Sequence, residues 1–94
     1  MKIRVELVGQ FRDIVGSSET LVEVEKGSTL HDLVRKMVEK YGGKFAKRVL
    51  TENTEMVSED VTIVLNGRVI PVEAVSSTFL NEADRVILMP EAII

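Results

Sequence analysis

The chain has 94 residues, 45% hydrophobic but only 4% aromatic, so we expect one domain, residues 1–94, with an aliphatic core. It contains no cysteine, which excludes disulfides, iron–sulfur clusters, thiolate zinc sites and a cysteine nucleophile. The net charge of −3 argues against a nucleic-acid partner, and no apolar run is long enough to span a membrane. Residues 1–6 alternate charged and aliphatic side chains, unlike a signal peptide, so we expect a cytoplasmic protein.

Two strands are predicted at the start of the sequence. Residues 2–8 are predicted to form a half-buried strand, because polar and aliphatic side chains alternate from Lys2 to Leu7. Residues 19–25 predict a second strand, with Val22 and Val24 facing inward. The residues between them, 9–18, are interpreted as a turn region, so the two strands should pair as an antiparallel hairpin.

One amphipathic helix follows the hairpin. Ser28 or Thr29 offers the N-cap hydroxyl, and Gly42-Gly43 should end the helix. Between them, apolar residues recur at helical spacing along one stripe: Leu30, Leu33, Val34, Met37, Val38 and Tyr41. This pattern predicts a helix over residues 30–41.

The pattern in residues 44–60 is weaker. Phe45, Val49 and Leu50 fit either a short helix or a packed loop. Residues 52–60 are polar and acidic, which predicts an exposed connection.

The last third of the sequence predicts three more strands. Residues 61–66 and 68–70 are joined at Asn66-Gly67, a strong hairpin signal because both residues tolerate positive φ. Residues 85–90 form a strand that is apolar on both faces, which predicts a central position in the sheet. The order strand, strand, helix, hairpin, strand is the β-grasp arrangement. We expect an α+β fold with a mixed sheet of four to five strands, parallel first and last strands in its middle, and one main helix on one face.

Four short motifs occur in a fixed order along the chain. They are Phe11-Arg12-Asp13-Ile14-Val15-Gly16, then Gly27-Ser28-Thr29-Leu30 with Leu33, then Leu65-Asn66-Gly67, and finally Leu80, Asp84, Val86 and Pro90. Their order and spacing resemble the ubiquitin-like sulfur carriers, the MoaD/ThiS group, over essentially the whole chain. The resemblance implies a carrier or binding subunit that is not an enzyme, related to the molybdopterin synthase small subunit of molybdenum cofactor biosynthesis. The implied partner is a synthase large subunit or an activating enzyme.

In that family the chain finishes in Gly-Gly, whose carboxylate is adenylated by an activating enzyme and converted to a thiocarboxylate. In this sequence, Ile93 and Ile94 stand where the resemblance places the two glycines. Isoleucine is bulky and stiff, so it should not thread a channel shaped for glycine. Two hypotheses follow: a diverged sulfur carrier, or a non-covalent ubiquitin-like adaptor with no carrier activity.

The candidate partner-binding residues lie beside the first turn and in residues 89–94, which we call the C-terminal segment. They are Arg12, Met89, Pro90, Ala92, Ile93 and Ile94. The C-terminal segment should bind a partner's groove, fold back on its own core, or seal a homodimer. Arg12 should contact that segment or the partner, as the resemblance implies, or pair with Asp13 or Glu19 on the surface. No catalytic residue, metal ligand or cofactor is predicted, since the single histidine, His31, has no companion ligand.

Overall fold

The computed structural model describes residues 1–51 and 56–91, and in these ranges five strands form one mixed sheet. The strands are β1 Lys2–Leu7, β2 Glu19–Glu23, β3 Val61–Leu65, β4 Arg68–Ile70 and β5 Arg85–Pro90. Their spatial order is β2–β1–β5–β3–β4. β1 and β5 pair in parallel, and the other neighbouring pairs are antiparallel.

This sheet confirms the β-grasp topology that the sequence predicts. β5 lies in the centre, between β1 and β3, as its two apolar faces indicate. Asn66 and Gly67 have φ angles of 50° and 84°, so β3 and β4 are joined by the two-residue turn that the Asn-Gly pair favours.

The helices in the described ranges are α1 Gln10–Val15, α2 Leu30–Tyr41 and α3 Gly43–Val49, with a 3₁₀ helix at Val72–Ser77. The predicted bounds of α2 are confirmed, and Thr29 is its N-cap. The Thr29 hydroxyl accepts from the Asp32 N–H at 3.2 Å, and the Asp32 carboxylate accepts from the Thr29 N–H at 2.9 Å. This second hydrogen bond lowers the pKa of Asp32 from its ordinary value.

The prediction of a turn over residues 9–18 is wrong, because Gln10–Val15 form the helix α1. Phe11 explains the difference. Its side chain is fully buried, and its ring meets the ring of Phe45 edge-on with the centroids 6.1 Å apart. A helical turn directs this ring into the core, whereas the polar residues around it are typical of a loop.

The segment after α2, where the sequence pattern is weak, forms the short helix α3. Its Phe45 and Val49 are buried. Residues 52–55 of the predicted exposed connection lie outside the described residues. Glu59 and Asp60 are exposed as predicted, whereas Val57 is buried.

The core lies between one face of the sheet and the α helices. α2 is the main covering helix, as predicted, and α1 and α3 extend the cover with their aromatic rings. No helix covers the opposite sheet face in the part of the chain that the structure describes, and we call this side the open face. The strand residues buried on the covered face include Ile3, Val5, Leu7, Val22, Val61, Ile63, Val86 and Leu88.

Candidate partner-binding surface

The central strand β5 presents apolar side chains to both faces of the sheet. Val86 and Leu88 point to the covered face, where they are 0% and 1% exposed. Ile87 and Met89 alternate with them and lie half-buried on the open face. Met89, a candidate residue of the sequence analysis, therefore belongs to the open face.

Ile87 and Met89 form part of a row of aliphatic side chains on this face. Val64 pairs with Ile87 across the sheet, and Val69 pairs with Val64. Val8 follows β1 and donates its N–H to β5 at 3.0 Å, which continues the parallel register and places its side chain beside Met89. We call Val8, Val64, Val69, Ile87 and Met89 the open-face patch.

Water reaches the open-face patch, and charged residues border it. Val69, at its outer edge, is 63% exposed. Two ion pairs lie next to it on the same face: Arg85 with Glu6 at 2.7 Å, and Arg4 with Glu19 at 3.3 Å. An apolar centre with a charged border is the usual anatomy of a protein–protein interface.

β5 ends at Pro90, directly beside the open-face patch. Gly9 has a φ of 62°, and a Cβ at this position would lie 3.1 Å from Cγ of Pro90. Glycine therefore allows the chain after β1 to pass closely over the end of β5. Beyond Pro90, the Glu91 N–H donates to the Asp60 carbonyl at 2.8 Å. These two contacts fix the position of the end of β5.

Arg12 lies on the exposed side of α1, one helical turn after Gly9. Glu19, one of its two possible surface partners, binds Arg4 instead. Among residues 1–51 and 56–91, Arg12 forms no ion pair. Because α1 packs against β5, the structure brings Arg12 to the same end of the sheet as Met89 and Pro90. The other candidates lie outside the described residues: Ala92, Ile93 and Ile94.

Four members of the open-face patch were missed by the sequence analysis: Val8, Val64, Val69 and Ile87. A signal for three of them existed. Ile87 belongs to a strand that is apolar on both faces. Strict alternation in β3 places Val64 opposite to the buried Ile63, and the Asn-Gly turn fixes Val69 beside it. Val8 had no such signal, because the patch forms around it only when β5 pairs with β1.

A polar network fixes the other end of β5. The Asn66 side-chain amide donates to Asp84 Oδ1 at 2.9 Å, and Asn66 Oδ1 accepts from the Arg85 N–H at 2.9 Å. The second carboxylate oxygen of Asp84 accepts from the Asn81 N–H at 2.7 Å. Asp84 is buried, so these bonds satisfy a carboxylate that water does not reach freely. The network sets the register of β5, and hence which side chains enter the open-face patch.

Comparison with known proteins gives the family. A family model described as the ThiS family matches residues 5–91. The chain belongs to the ThiS family. The ubiquitin-like sulfur carriers that the four motifs resemble are therefore its relatives. No curated protein sequence matches it significantly.

Solved structures confirm the ubiquitin-like β-grasp fold of this ThiS-family protein. SAMP1 from Haloferax volcanii has a TM-score of 0.83 at 17% identity, with 98% of this chain and 97% of that chain covered. The putative molybdopterin converting factor subunit 1 from Pyrococcus furiosus has a TM-score of 0.78 at 26% identity, covering 98% and 99%. A chain of the Amycolatopsis orientalis BexX/CysO complex has a TM-score of 0.76 at 13% identity, covering 97% of each. That last relative was solved as a complex of two proteins.

The described part of the ThiS-family chain has neither a membrane-spanning helix nor a metal-binding cluster. Across residues 1–51 and 56–91, no helix combines the length and apolarity needed to cross a membrane. In the same ranges, no three histidine, cysteine, aspartate or glutamate side chains are grouped so that they could hold a metal ion.

Proposed function

We propose that this protein is a cytoplasmic, carrier-type subunit of a cofactor-biosynthesis system and has no catalytic activity of its own. It binds a protein partner through the open-face patch and the C-terminal segment. The partner is a synthase large subunit or an activating enzyme, as for the small subunit of molybdopterin synthase. One observation carries the proposal: Met89 lies in the open-face patch, and the next residue, Pro90, is the last of β5, so the C-terminal residues follow the patch directly in the sequence.

A single partner surface can cover both regions. The four residues after Pro90 span at most about 14 Å when fully extended. A groove that begins at the edge of the open-face patch is therefore within reach of Ile93 and Ile94. The ion pair Arg85–Glu6 would lie at the rim of the interface, where charge orients a partner more than it adds affinity.

The side chains of the C-terminal segment favour contact over covalent transfer. Full burial of an isoleucine side chain is worth about 1.5–3 kcal/mol, so Ile93 and Ile94 can contribute substantially to binding. Both are β-branched, and a narrow adenylation channel for glycine would exclude them. We therefore favour non-covalent binding by this segment over thiocarboxylate formation.

Calorimetry with the candidate partner tests the C-terminal segment and the open-face patch separately. We expect at least tenfold weaker binding when the chain is cut after Pro90, and a similar loss for Ile87→Asp on the open face. Phe79→Ser is the matched control, since Phe79 is 65% exposed but lies outside the open-face patch. Unchanged affinity after truncation would remove the role of the C-terminal segment, and unchanged affinity of Ile87→Asp would remove that of the patch.

Mass spectrometry separates non-covalent binding from thiocarboxylate formation on the C-terminal segment. The intact protein is incubated with an activating enzyme and ATP, and its mass is expected to stay unchanged. An adenylate or thiocarboxylate on the protein would establish sulfur-carrier chemistry instead. Light scattering of the protein alone tests whether the C-terminal segment seals a homodimer. A stable dimer that dissociates on truncation after Pro90 would show that it does.

A further inference from the structure

The outer edge of β2 offers unpaired backbone groups. β2 bonds to β1 through even-numbered positions, since the Ser18 carbonyl accepts from β1 at 2.9 Å and the Val24 N–H donates to it at 2.9 Å. The N–H and C=O groups of Leu21 and Glu23 therefore point away from the sheet, and no partner meets them in the described residues. Glu19 differs, because a neighbouring serine hydroxyl bonds both of its backbone groups.

A groove runs along this edge, between β2 and α2. Its volume is about 290 Å³. Its lining residues are Leu21, Val22, Glu23, Lys36, Glu39 and Lys40. The strand side supplies the free backbone groups, and the helix side supplies polar and charged side chains. An extended peptide laid in this groove can bond to the backbone while its alternate side chains face α2.

The side chains of β2 on the open face have a definite charge pattern. Glu19, Leu21 and Glu23 follow one another on this face, so an apolar residue stands between two carboxylates. On the side of β1, Glu19 binds Arg4 at 3.3 Å and Glu23 lies opposite Lys2. Leu21 is 56% exposed. Opposite residues on neighbouring strands interact most strongly, and opposite charges stabilise the pair. A strand added here is favoured when it carries a basic, an aliphatic and a basic residue at alternate positions.

We propose that the outer edge of β2 is a docking site for an extended segment of a partner protein with this basic–aliphatic–basic alternation. The segment adds to β2 as a sixth, antiparallel strand. A second copy of this chain is a poor occupant, because antiparallel self-pairing centred on Leu21 places Glu19 directly opposite Glu23 of the other copy. The acidic edge therefore discourages association between copies while it attracts a basic strand.

This inference does not depend on the proposed function. The open-face patch lies on β5, β3 and β4, with Val8 following β1, whereas the proposed docking edge belongs to β2 at the far side of the sheet. A failure of one surface to bind its partner leaves the other untouched.

A pair of synthetic peptides tests the charge pattern. The capped peptide Lys-Thr-Val-Thr-Lys presents the same alternation in either direction, and Glu-Thr-Val-Thr-Glu is its charge-reversed control. By NMR titration we expect the lysine peptide to bind at least fivefold more tightly and to shift the amide signals of Leu21 and Glu23. Glu23→Lys should reduce this preference at least threefold. Absence of binding, or equal binding of the two peptides, would overturn the proposal.

Methylation of single peptide nitrogens tests the backbone bonding. Antiparallel addition requires the central valine N–H to donate to β2, whereas the two threonine N–H groups point away. Methylation of the valine nitrogen should weaken binding at least tenfold, and methylation of a threonine nitrogen should change it less than twofold. Equal effects at both positions would contradict strand addition.

A change in the protein provides the complementary test. Leu21→Pro removes an outward N–H without removing a bond to β1, and it should weaken peptide binding at least fivefold. Leu21→Val keeps the N–H and should bind as the parent does. Circular dichroism establishes that both variants are folded, and full binding by a folded Leu21→Pro protein would contradict the proposal.

Discussion

The covered face and the open face of the sheet are both apolar along β5, yet only the covered face is sealed from water. Val86 and Leu88 pack beneath the helices, whereas Ile87 and Met89 remain half-buried. The hydrophobicity of the two sets is nearly the same. What separates them is the presence of α1, α2 and α3 on one side. An apolar strand residue in this fold therefore contributes to stability on one face and is available for binding on the other.

The two ends of the sheet differ in a similar way. At the beginning of β5, the side chains of Asn66 and Asp84 form a closed set of hydrogen bonds. At its end, Gly9 and Pro90 make a close steric contact with few polar bonds. The first end fixes the register of the central strand, and the second is the end of that strand at Pro90. Substitutions on the two sides of each contrast should therefore change the stability by different amounts.

Loss of a covered side chain should have the largest effect on stability. Leu88→Ala removes a fully buried side chain beneath the helices and should lower the free energy of unfolding by about 2–5 kcal/mol. Ile87→Ala, the next residue on the open face, should cost less than about 1.5 kcal/mol because its surroundings are partly wet. Denaturant titration of the two variants measures the contrast. Equal losses would show that the open face is part of the core.

Removal of the polar network at the start of β5 should rank second. Asn66→Ala leaves Asp84 Oδ1 and the Arg85 N–H without their Asn66 partner and should cost about 1–3 kcal/mol. Asn66 also has positive φ, so Asn66→Gly serves as the control that keeps the turn but loses the bonds. We expect the glycine variant to recover less than half of the loss. Full recovery in thermal unfolding would assign the effect to the turn alone.

The capping box of α2 should contribute about 1 kcal/mol, measured as the loss on Thr29→Ala. The contribution of Asp32 to stability should also depend on pH. Because the folded pKa of Asp32 is lowered, its carboxylate stabilises the protein above the unfolded pKa of about 3.9, and this contribution is lost as the pH falls through the folded value. The stability difference between the parent and Asp32→Asn should therefore be constant near neutral pH and shrink below about pH 4. A difference that persisted at acid pH would contradict this origin.

Much of the fold could be predicted from the sequence because its signals are local. Alternation in β1, the stripe of α2 and the Asn66-Gly67 turn each specify structure within a few residues. The helix α1 could not be predicted, because its only buried aromatic residue, Phe11, acts through a contact with Phe45 that is distant in sequence. Tertiary packing overrode the local preference for a turn in this segment.

The candidate surface was predictable only in part, for the same reason. Met89 and Pro90 could be chosen from their position in the C-terminal segment. Val64 and Val69 had a local signal in the alternation of β3 and in the Asn-Gly turn. Val8 had none, since it joins the open-face patch only through pairing of β1 with β5. Strand register, which the sequence analysis did not assign across the sheet, decides the membership of the patch.

The smallest effect on stability should come from the exposed border of the open face. Val69→Thr keeps the shape and the β-branching of the side chain, and Val69 is already largely in water, so stability should change by less than about 0.5 kcal/mol. Phe79→Ser, at an exposed apolar residue outside the open-face patch, is the control. If the open-face patch binds a partner, Val69→Thr should weaken that binding severalfold while Phe79→Ser leaves it unchanged. A loss of stability above about 1 kcal/mol for Val69→Thr would instead mean that its packing against Val64 supports the sheet.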